Sequence, residues 1–441
     1  MKKTVPIFLS FLVLLSTVFF PLTASAATFN IGFNTTSKSV MLINLDTDTT
    51  VYEKNIDDKR SIASLTKIMT YIVTVENVPD LEGTKVTINK DVIDSLLGTG
   101  SSLANLKAGD VLSIKQLLYG MMIPSGNDAA LCLAHYVGKG DINKFVDMMN
   151  KKATDLGCKN THFTNPHGLY DPNHYSSARD LYIISEHALA LPLFSEITNT
   201  TTSYIFGEDR PPLVTTNSMI DSVRGGQYYY RYAKGIKTGH FTEAGYCLVS
   251  TAIKNGYTYM CIALGSPSVD ESGNKITKNG AMIDSRELYK WAFSSLRIKN
   301  VLDSDEPINE VSVKLAWNKD KTLLVPAKNY STILPNGVEV SSIEIEANTP
   351  NEIYAPIKAG EKIGTATLKY ANQKLATIDL VASENIKRNN FLYVLYVIKK
   401  IFTSPWFIFI LCILVALLVA YIWLMMKHNT VNRKNRIKRF K

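Results

Sequence analysis

The sequence predicts an α+β body, an antiparallel sheet flanked by helices, followed by a C-terminal all-β sandwich-like domain and one C-terminal transmembrane helix. Three observations carry this. Strand patterns at residues 39–54 and from Lys234 onward bracket a helix-periodic block at 61–191. Short strands with Gly, Pro and Asn turns fill residues 311–382. A run without a charged residue, 406–426, comes after them.

The elements follow in order. Residues 1–26 join Lys2 and Lys3 to an apolar stretch and end in Ala24-Ser25-Ala26, the pattern of a secretory signal peptide. SVMLINLDTDTTVYEK reads as a hairpin turning near Asp46-Thr47-Asp48. Helical periodicity appears at 64–75, 114–123, 128–137, 142–156 and 177–190. GIKTG, GYCLVSTAI and YTYMCIALG are strands, the last two joined through Asn255-Gly256, a turn pair suited to a tight hairpin. Residues 281–296 return to helix. The expected division is a catalytic domain at 27–299, a β domain at 300–385, a juxtamembrane segment at 386–405, a membrane span at 406–426 and a basic tail at 427–441.

At 1.5 Å per residue the span measures about 30 Å, the hydrocarbon thickness of a bilayer. Trp406, Tyr421 and Trp423 sit near its ends, as in an aromatic belt. The tail KHNTVNRKNRIKRFK carries only basic charges, which places it on the cytoplasmic side and the body outside. Of the net charge of +9, two charges lie in the signal peptide and seven in the tail, so residues 4–426 are neutral. The basic balance is therefore a topology signal, and nucleic acid is not an expected partner. Among five cysteines, Cys247 and Cys261 fall on opposite faces of their hairpin and are not expected to pair. No Cys/His spacing suggests a metal, and no cofactor is expected.

Chemistry enters at SLTKIMTYIV. Lys67 sits in an apolar, helix-periodic run, and its neighbours three and four residues away, Ala63, Ser64, Thr70 and Tyr71, include no carboxylate. A snorkelling lysine is the plain alternative. Two more motifs weigh against it. Ser125-Gly126-Asn127 follows Pro124 in a turn between helices, and Lys237-Thr238-Gly239 lies on a strand entering a hairpin. S-x-x-K and S-G-N recur at Ser272–Lys275, in a loop-like DESGNKITKNG read as a turn. S-x-x-K on a helix start, then S-G-N, then K-T-G is the order found in penicillin-binding proteins and β-lactamases.

IASLTKIMT, MMIPSGNDAAL, NPHGLYDPNHYSSARDL and GIKTGHFTEAGYCLVSTA together resemble the low-molecular-mass penicillin-binding proteins that are D-alanyl-D-alanine carboxypeptidases. The resemblance spans roughly residues 35–385. It implies the penicillin-recognising serine peptidase fold (DD-peptidase/β-lactamase-like), peptidoglycan stem peptides ending in D-Ala-D-Ala as substrate, and β-lactams as inhibitors. Two departures stand out: a membrane-crossing helix where many members have an amphipathic anchor, and Lys234 where an acid is common.

Each residue then has an expected role. Ser64 is the nucleophile, and Lys67 its base, uncharged through desolvation and a neighbouring cation, Lys237. Ser125 relays a proton between Lys67 and the leaving amine. Asn127 donates to a substrate carbonyl and steadies Lys67. Lys237 and Thr238 bind a terminal carboxylate, and Gly239 lets substrate backbone lie close. The resemblance puts the oxyanion hole at the N–H groups of Ser64 and His240. Arg286 could face the site, but a solvated helix arginine is the better reading. His135, His162, His167, His174 and His187 read as structural or loop residues, and the resemblance implies that the segment with Asp171, His174, Arg179 and Asp180 scaffolds the site.

Two other readings compete with a carboxypeptidase. A class A β-lactamase needs E-x-x-L-N between the second and third motifs, and Glu186, Glu196 and Glu208 do not begin one. A membrane-tethered, non-catalytic penicillin sensor would want an effector domain, and the short tail contains no recognisable one.

Overall fold

The computed structural model describes residues 29–371 and 373–438, so the signal-peptide expectation at 1–26 lies outside the described residues. The chain forms two compact units. One runs to Arg297 and takes in Ile333–Gly337; the other comprises Ile298–Thr332 and the chain from Val338.

In the first unit, β1 (Ser39–Asn44), β2 (Thr49–Lys54), β3 (Ala233–Phe241), β4 (Gly245–Lys254) and β5 (Tyr257–Ser266) form one antiparallel sheet in the order β2-β1-β5-β4-β3. β1 pairs with β5, so the two strand-rich ends of the sequence close into one sheet around the helical block. Lys254 faces Tyr257 across a two-residue turn whose Asn255 and Gly256 have φ of 55° and 81°. These positive values are those of the hairpin turn that matches strand twist, and Asn-Gly accommodates them with little strain.

Alternation along β4 sends Cys247 and Val249 into the main core, while Ser250 meets Tyr289 of the helix α7 (Gly280–Ser295) at 3.0 Å. Cys247 and Cys261 are both free thiols, as the two-face argument expects. Both faces are covered, which is why β5 reads as an almost unbroken apolar run.

The helical block contains α1 (Lys67–Asn77), α2 (Ile114–Met122), α3 (Asn127–Val137), α4 (Ile142–Asp155), α5 (Ala178–Leu189) and α6 (Phe194–Asn199). Their ends show local sequence logic. Ser113 and Gln116 make a reciprocal capping box on α2, and Ser177 caps α5 through the Asp180 N–H. α1 is central. It is packed by α2, α3, α4 and α5, and every residue from Lys67 to Thr74 is buried. The sequence pattern suggested a single buried face; the surrounding helices instead bury α1 on all sides, and Lys67 with it.

Up to Ala382 the second unit is built mainly of strands. Strands β6 (Asn309–Lys314), β7 (Lys321–Pro326), β8 (Glu344–Asn348), β9 (Glu352–Tyr354), β10 (Lys362–Tyr370) and β11 (Gln373–Ala382) lie in the order β8-β10-β11-β7-β6-β9. Small apolar clusters, such as Val311, Leu324, Ala366 and Leu380, supply its core. Strands at Leu296–Leu302 and Tyr330–Pro335 were not legible in the sequence. The helix α8 (Asn390–Phe402) precedes α9 (Pro405–Lys438), whose segment Pro405–His428 is long and apolar enough to cross a membrane.

Candidate active site

Three elements deliver the motifs to one place. Ser64 sits in a 3₁₀ turn, Ala63–Thr66, which runs directly into α1. The interval of three residues brings the Ser64 hydroxyl over the Lys67 amine, Nζ to Oγ 3.0 Å. Ser125 occupies the turn between α2 and α3 with φ of 66°, an uncommon conformation for a residue other than glycine. Its neighbour Gly126 admits no side chain, since a Cβ there would lie 2.6 Å from the Gly120 carbonyl oxygen. Asn127 opens α3, and its N–H is held by the Ser102 carbonyl at 2.9 Å. Lys237, Thr238, Gly239 and His240 lie on β3, the sheet edge that packs against the Ser64 turn.

Lys67 Nζ donates to Asn127 Oδ1 at 2.6 Å and to the His167 carbonyl at 2.8 Å, besides its contact with Ser64. Both oxygens can only accept. An uncharged amine has two N–H groups and one lone pair, so these carbonyls take the two hydrogens and leave the lone pair for the Ser64 O–H. Full burial lowers the Lys67 pKa well below its ordinary value; the Lys237 charge lowers it further, and the Asp128 carboxylate opposes both. Lys237 is also buried, which depresses its amine to about 7. Its Nζ donates to Ser125 Oγ at 2.9 Å and to the Thr238 carbonyl at 3.0 Å.

This differs from the sequence expectation in one respect. Ser125 is hydrogen-bonded to Lys237, and no direct bond joins it to Lys67 among the described contacts. The reason is tertiary: Asn127 and His167 already occupy the inner side of the Lys67 amine.

The cleft between these elements has a volume of about 240 Å³ and is lined by Ser64, Ser102, Ser125, Thr216, Thr238, Gly239, His240, Tyr246, Asn279 and Met282. All eight residues singled out from sequence therefore line it or bond to residues that do. Gly239 has a second reason to be glycine. A Cβ there would meet the Ile62 carbonyl oxygen at 2.7 Å and the Ser64 nitrogen at 3.2 Å, so its bare backbone is what lets β3 approach the Ser64 turn. The same approach brings the β3 backbone up to the Ser64 N–H. His240 stacks on Tyr246, with ring centroids 4.4 Å apart.

Sequence reasoning missed Thr216, Asp128 and the His167 carbonyl. Thr216 Oγ1 lies 2.6 Å from Thr238 Oγ1 at the cleft wall. Asp128 is buried and accepts the N–H groups of Ala104 and Leu106, at 2.8 and 3.1 Å, which fixes the loop running beside the cleft. A backbone carbonyl has no residue-type signal, and Thr216 belongs to no motif. Asp128, next to Asn127 in the first turn of a helix, was the one with a visible cue. Arg286 does not line the cleft; its partly exposed guanidinium donates to the Gln227 carbonyl and pairs with Glu287 at 2.9 Å. The second S-x-x-K is a turn gathered by the Asp270 carboxylate, which accepts the N–H groups of Ser272 and Asn274.

Residues 23–268 match the family model described as D-alanyl-D-alanine carboxypeptidase. The chain belongs to the D-alanyl-D-alanine carboxypeptidase family. It is thus a serine-type peptidase by family, in agreement with the resemblance noted from its motifs. Residues 298–388 match the model for the C-terminal domain of penicillin-binding protein 5.

Among curated family members, the D-alanyl-D-alanine carboxypeptidase DacF of Bacillus subtilis is 31% identical over 359 residues, covering 81% of this chain and 87% of the relative. DacA of Escherichia coli K12 is 28% identical over 386 residues, 84% of this chain and 89% of the relative. Among solved structures, penicillin-binding protein 5 of Haemophilus influenzae superimposes with a TM-score of 0.65 at 26% identity, over 81% of this chain and 99% of its own. A Streptomyces DD-transpeptidase does so at 0.52 and 32% identity, over 59% of this chain and 98% of its own.

Proposed function

We propose that this family member is a D-Ala-D-Ala carboxypeptidase that removes the terminal D-alanine of peptidoglycan stem peptides through an acyl-enzyme on Ser64. One observation carries the reading: a fully buried Lys67 amine reaches Ser64 Oγ at 3.0 Å while two carbonyls hold its other side.

Ser64 Oγ attacks the penultimate carbonyl carbon as Lys67 takes its proton. The developing oxyanion is met by the N–H groups of Ser64 and His240. Ser125 gives its proton to the leaving D-alanine nitrogen as the C–N bond breaks, and is reprotonated by Lys237. An amine depressed to about 7 is well matched to that transfer. The shared proton then returns from Lys67 to Lys237, and water, activated by Lys67, hydrolyses the ester. Before reaction, charged Lys237 and the hydroxyls of Thr238 and Thr216 receive the substrate's terminal carboxylate. Asn127, whose Oδ1 is spent on Lys67, offers its Nδ2 to a substrate carbonyl.

A β-lactam ring enters the same cleft and acylates Ser64. The body is exported by residues 1–26 and held to the cell membrane by the span at 406–426, with the basic tail in the cytoplasm. The β domain serves as a spacer.

Incubating the purified protein with diacetyl-L-Lys-D-Ala-D-Ala and with a fluorescent penicillin tests this. Free D-alanine and a stable covalent label are expected, and both vanish in Ser64→Ala. Rapid turnover of the penicillin would make the protein a β-lactamase; labelling without D-alanine release would make it a sensor.

A further inference from the structure

The loop from His162 to Tyr175 closes on itself through a β-bridge, with N–H···O distances of 2.9 and 3.0 Å in the two directions. It lies directly against the nucleophile turn. The Pro166 carbonyl accepts from Thr70 Oγ1 at 2.6 Å, and the His167 carbonyl from Lys67. Gly168, at φ of 90°, backs onto Ala63 so closely that a Cβ would sit 2.0 Å from the Ala63 carbonyl oxygen. Ala63 itself adopts a left-handed φ of 47°, immediately before Ser64. Such a residue holds its conformation only where the surroundings impose it.

His174 lies at the far end of this loop and is 97% buried, its exposure being 3%. The Thr164 N–H donates to its Nδ1 at 3.1 Å. An N–H cannot accept, so Nδ1 carries a lone pair and the ring proton is on Nε2. Nε2–H therefore donates to Thr66 Oγ1 at 2.7 Å, and Thr66 Oγ1 donates in turn to the Ala63 carbonyl at 2.8 Å. Every link runs one way, from the loop backbone to the carbonyl that precedes the nucleophile.

We propose that His174 is a positioning residue: through Thr66 it clamps the Ala63 carbonyl and so aims Ser64 at the substrate. It touches neither substrate nor reacting atoms. The imidazole is suited to the task because it accepts at one nitrogen and donates at the other across a fixed, planar spacing. Burial lowers its pKa to about 4, which keeps the ring neutral and the direction of the chain unchanged at ordinary pH. This inference rests on Ser64 being the nucleophile.

The test uses the full-length protein in detergent and measures acylation by a fluorescent penicillin, resolved into the non-covalent dissociation constant and the acylation rate constant. His174→Phe keeps the edge contact with Phe163, at 5.6 Å between ring centroids, and loses every hydrogen bond of the imidazole. Thr66→Val keeps the shape of Thr66 and loses the link. Each is expected to slow acylation about 10- to 100-fold with the dissociation constant unchanged, because a misaimed nucleophile costs rate more than binding. The double variant should lose no more than either single one, since both break one chain. His174→Gln, which can place an amide N–H against Thr66 Oγ1, should recover most of the rate.

Folded variants that acylate at the wild-type rate, losses that multiply in the double variant, or a His174→Gln as slow as His174→Phe would each overturn the proposal. A wild-type protein that takes no label would instead overturn the function proposed above.

Discussion

Lys237→Met separates the stability cost of this site from its chemistry. The Lys237 amine sits at about 7 in the folded protein against an ordinary value of 10.5, because burial removes the water that would solvate its charge. Below about pH 7 both folded and unfolded chains carry the proton, and the folded state bears the full penalty. Between 7 and 10.5 the unfolded chain still binds the proton and the folded one has lost it. Wild-type stability therefore rises with pH across that window. At 1.36 kcal/mol per unit, the total change is about 5 kcal/mol.

Methionine has a similar length and no charge. Replacing Lys237 also removes its hydrogen bonds to Ser125 and Thr238, worth about 1 kcal/mol each. The variant should then be more stable than wild type by about 3 kcal/mol at neutral pH, and less stable by about 2 kcal/mol once pH exceeds the unfolded value. Lys67 adds a slope of the same sign in both proteins, and its amine recovers part of its basicity when the Lys237 charge is gone. Urea unfolding of the catalytic unit in detergent, measured from pH 7 to pH 10.5, reads out the crossover. D-alanine release should be lost throughout. A stability gap that does not vary with pH would refute the argument that Lys237 is held against its own desolvation, and with it the idea that the two lysines share one proton.

Gly239→Ala should lower stability by about 1–3 kcal/mol and acylation by more than tenfold, because a Cβ 2.7 Å from the Ile62 carbonyl pushes β3 off the Ser64 turn; melting temperature and labelling rate report the two effects. Thr216→Val should raise KM for the peptide about tenfold with little change in kcat, measured by D-alanine release, since it removes one hydroxyl of the pair beside Thr238; an unchanged KM would exclude Thr216 from carboxylate binding. Asp128→Asn should cost about 1–3 kcal/mol, as an amide NH₂ cannot accept one of the two backbone N–H groups. It should also move the acid limb of the acylation rate to lower pH, because the carboxylate raises the Lys67 pKa and its loss lets the amine deprotonate earlier; a limb shifted to higher pH would contradict this sign.

Much of this molecule is local information. Hydrophobic period marked α1 through α5, Asn255-Gly256 marked its hairpin, and the motif order marked Ser64, Lys67, Ser125 and Lys237, because each signal lies within a few adjacent residues. The uncharged run at 406–426 was equally plain. Tertiary structure alone decided that α1 is enclosed on every side, that Ser125 bonds to Lys237 and that a carbonyl from residue 167 completes the hold on Lys67. It also decided that Gly239 is small for the sake of the turn at Ile62–Ser64. Those facts depend on which distant backbones meet. Backbone atoms are chemically alike at nearly every position, so no residue type announces where they converge.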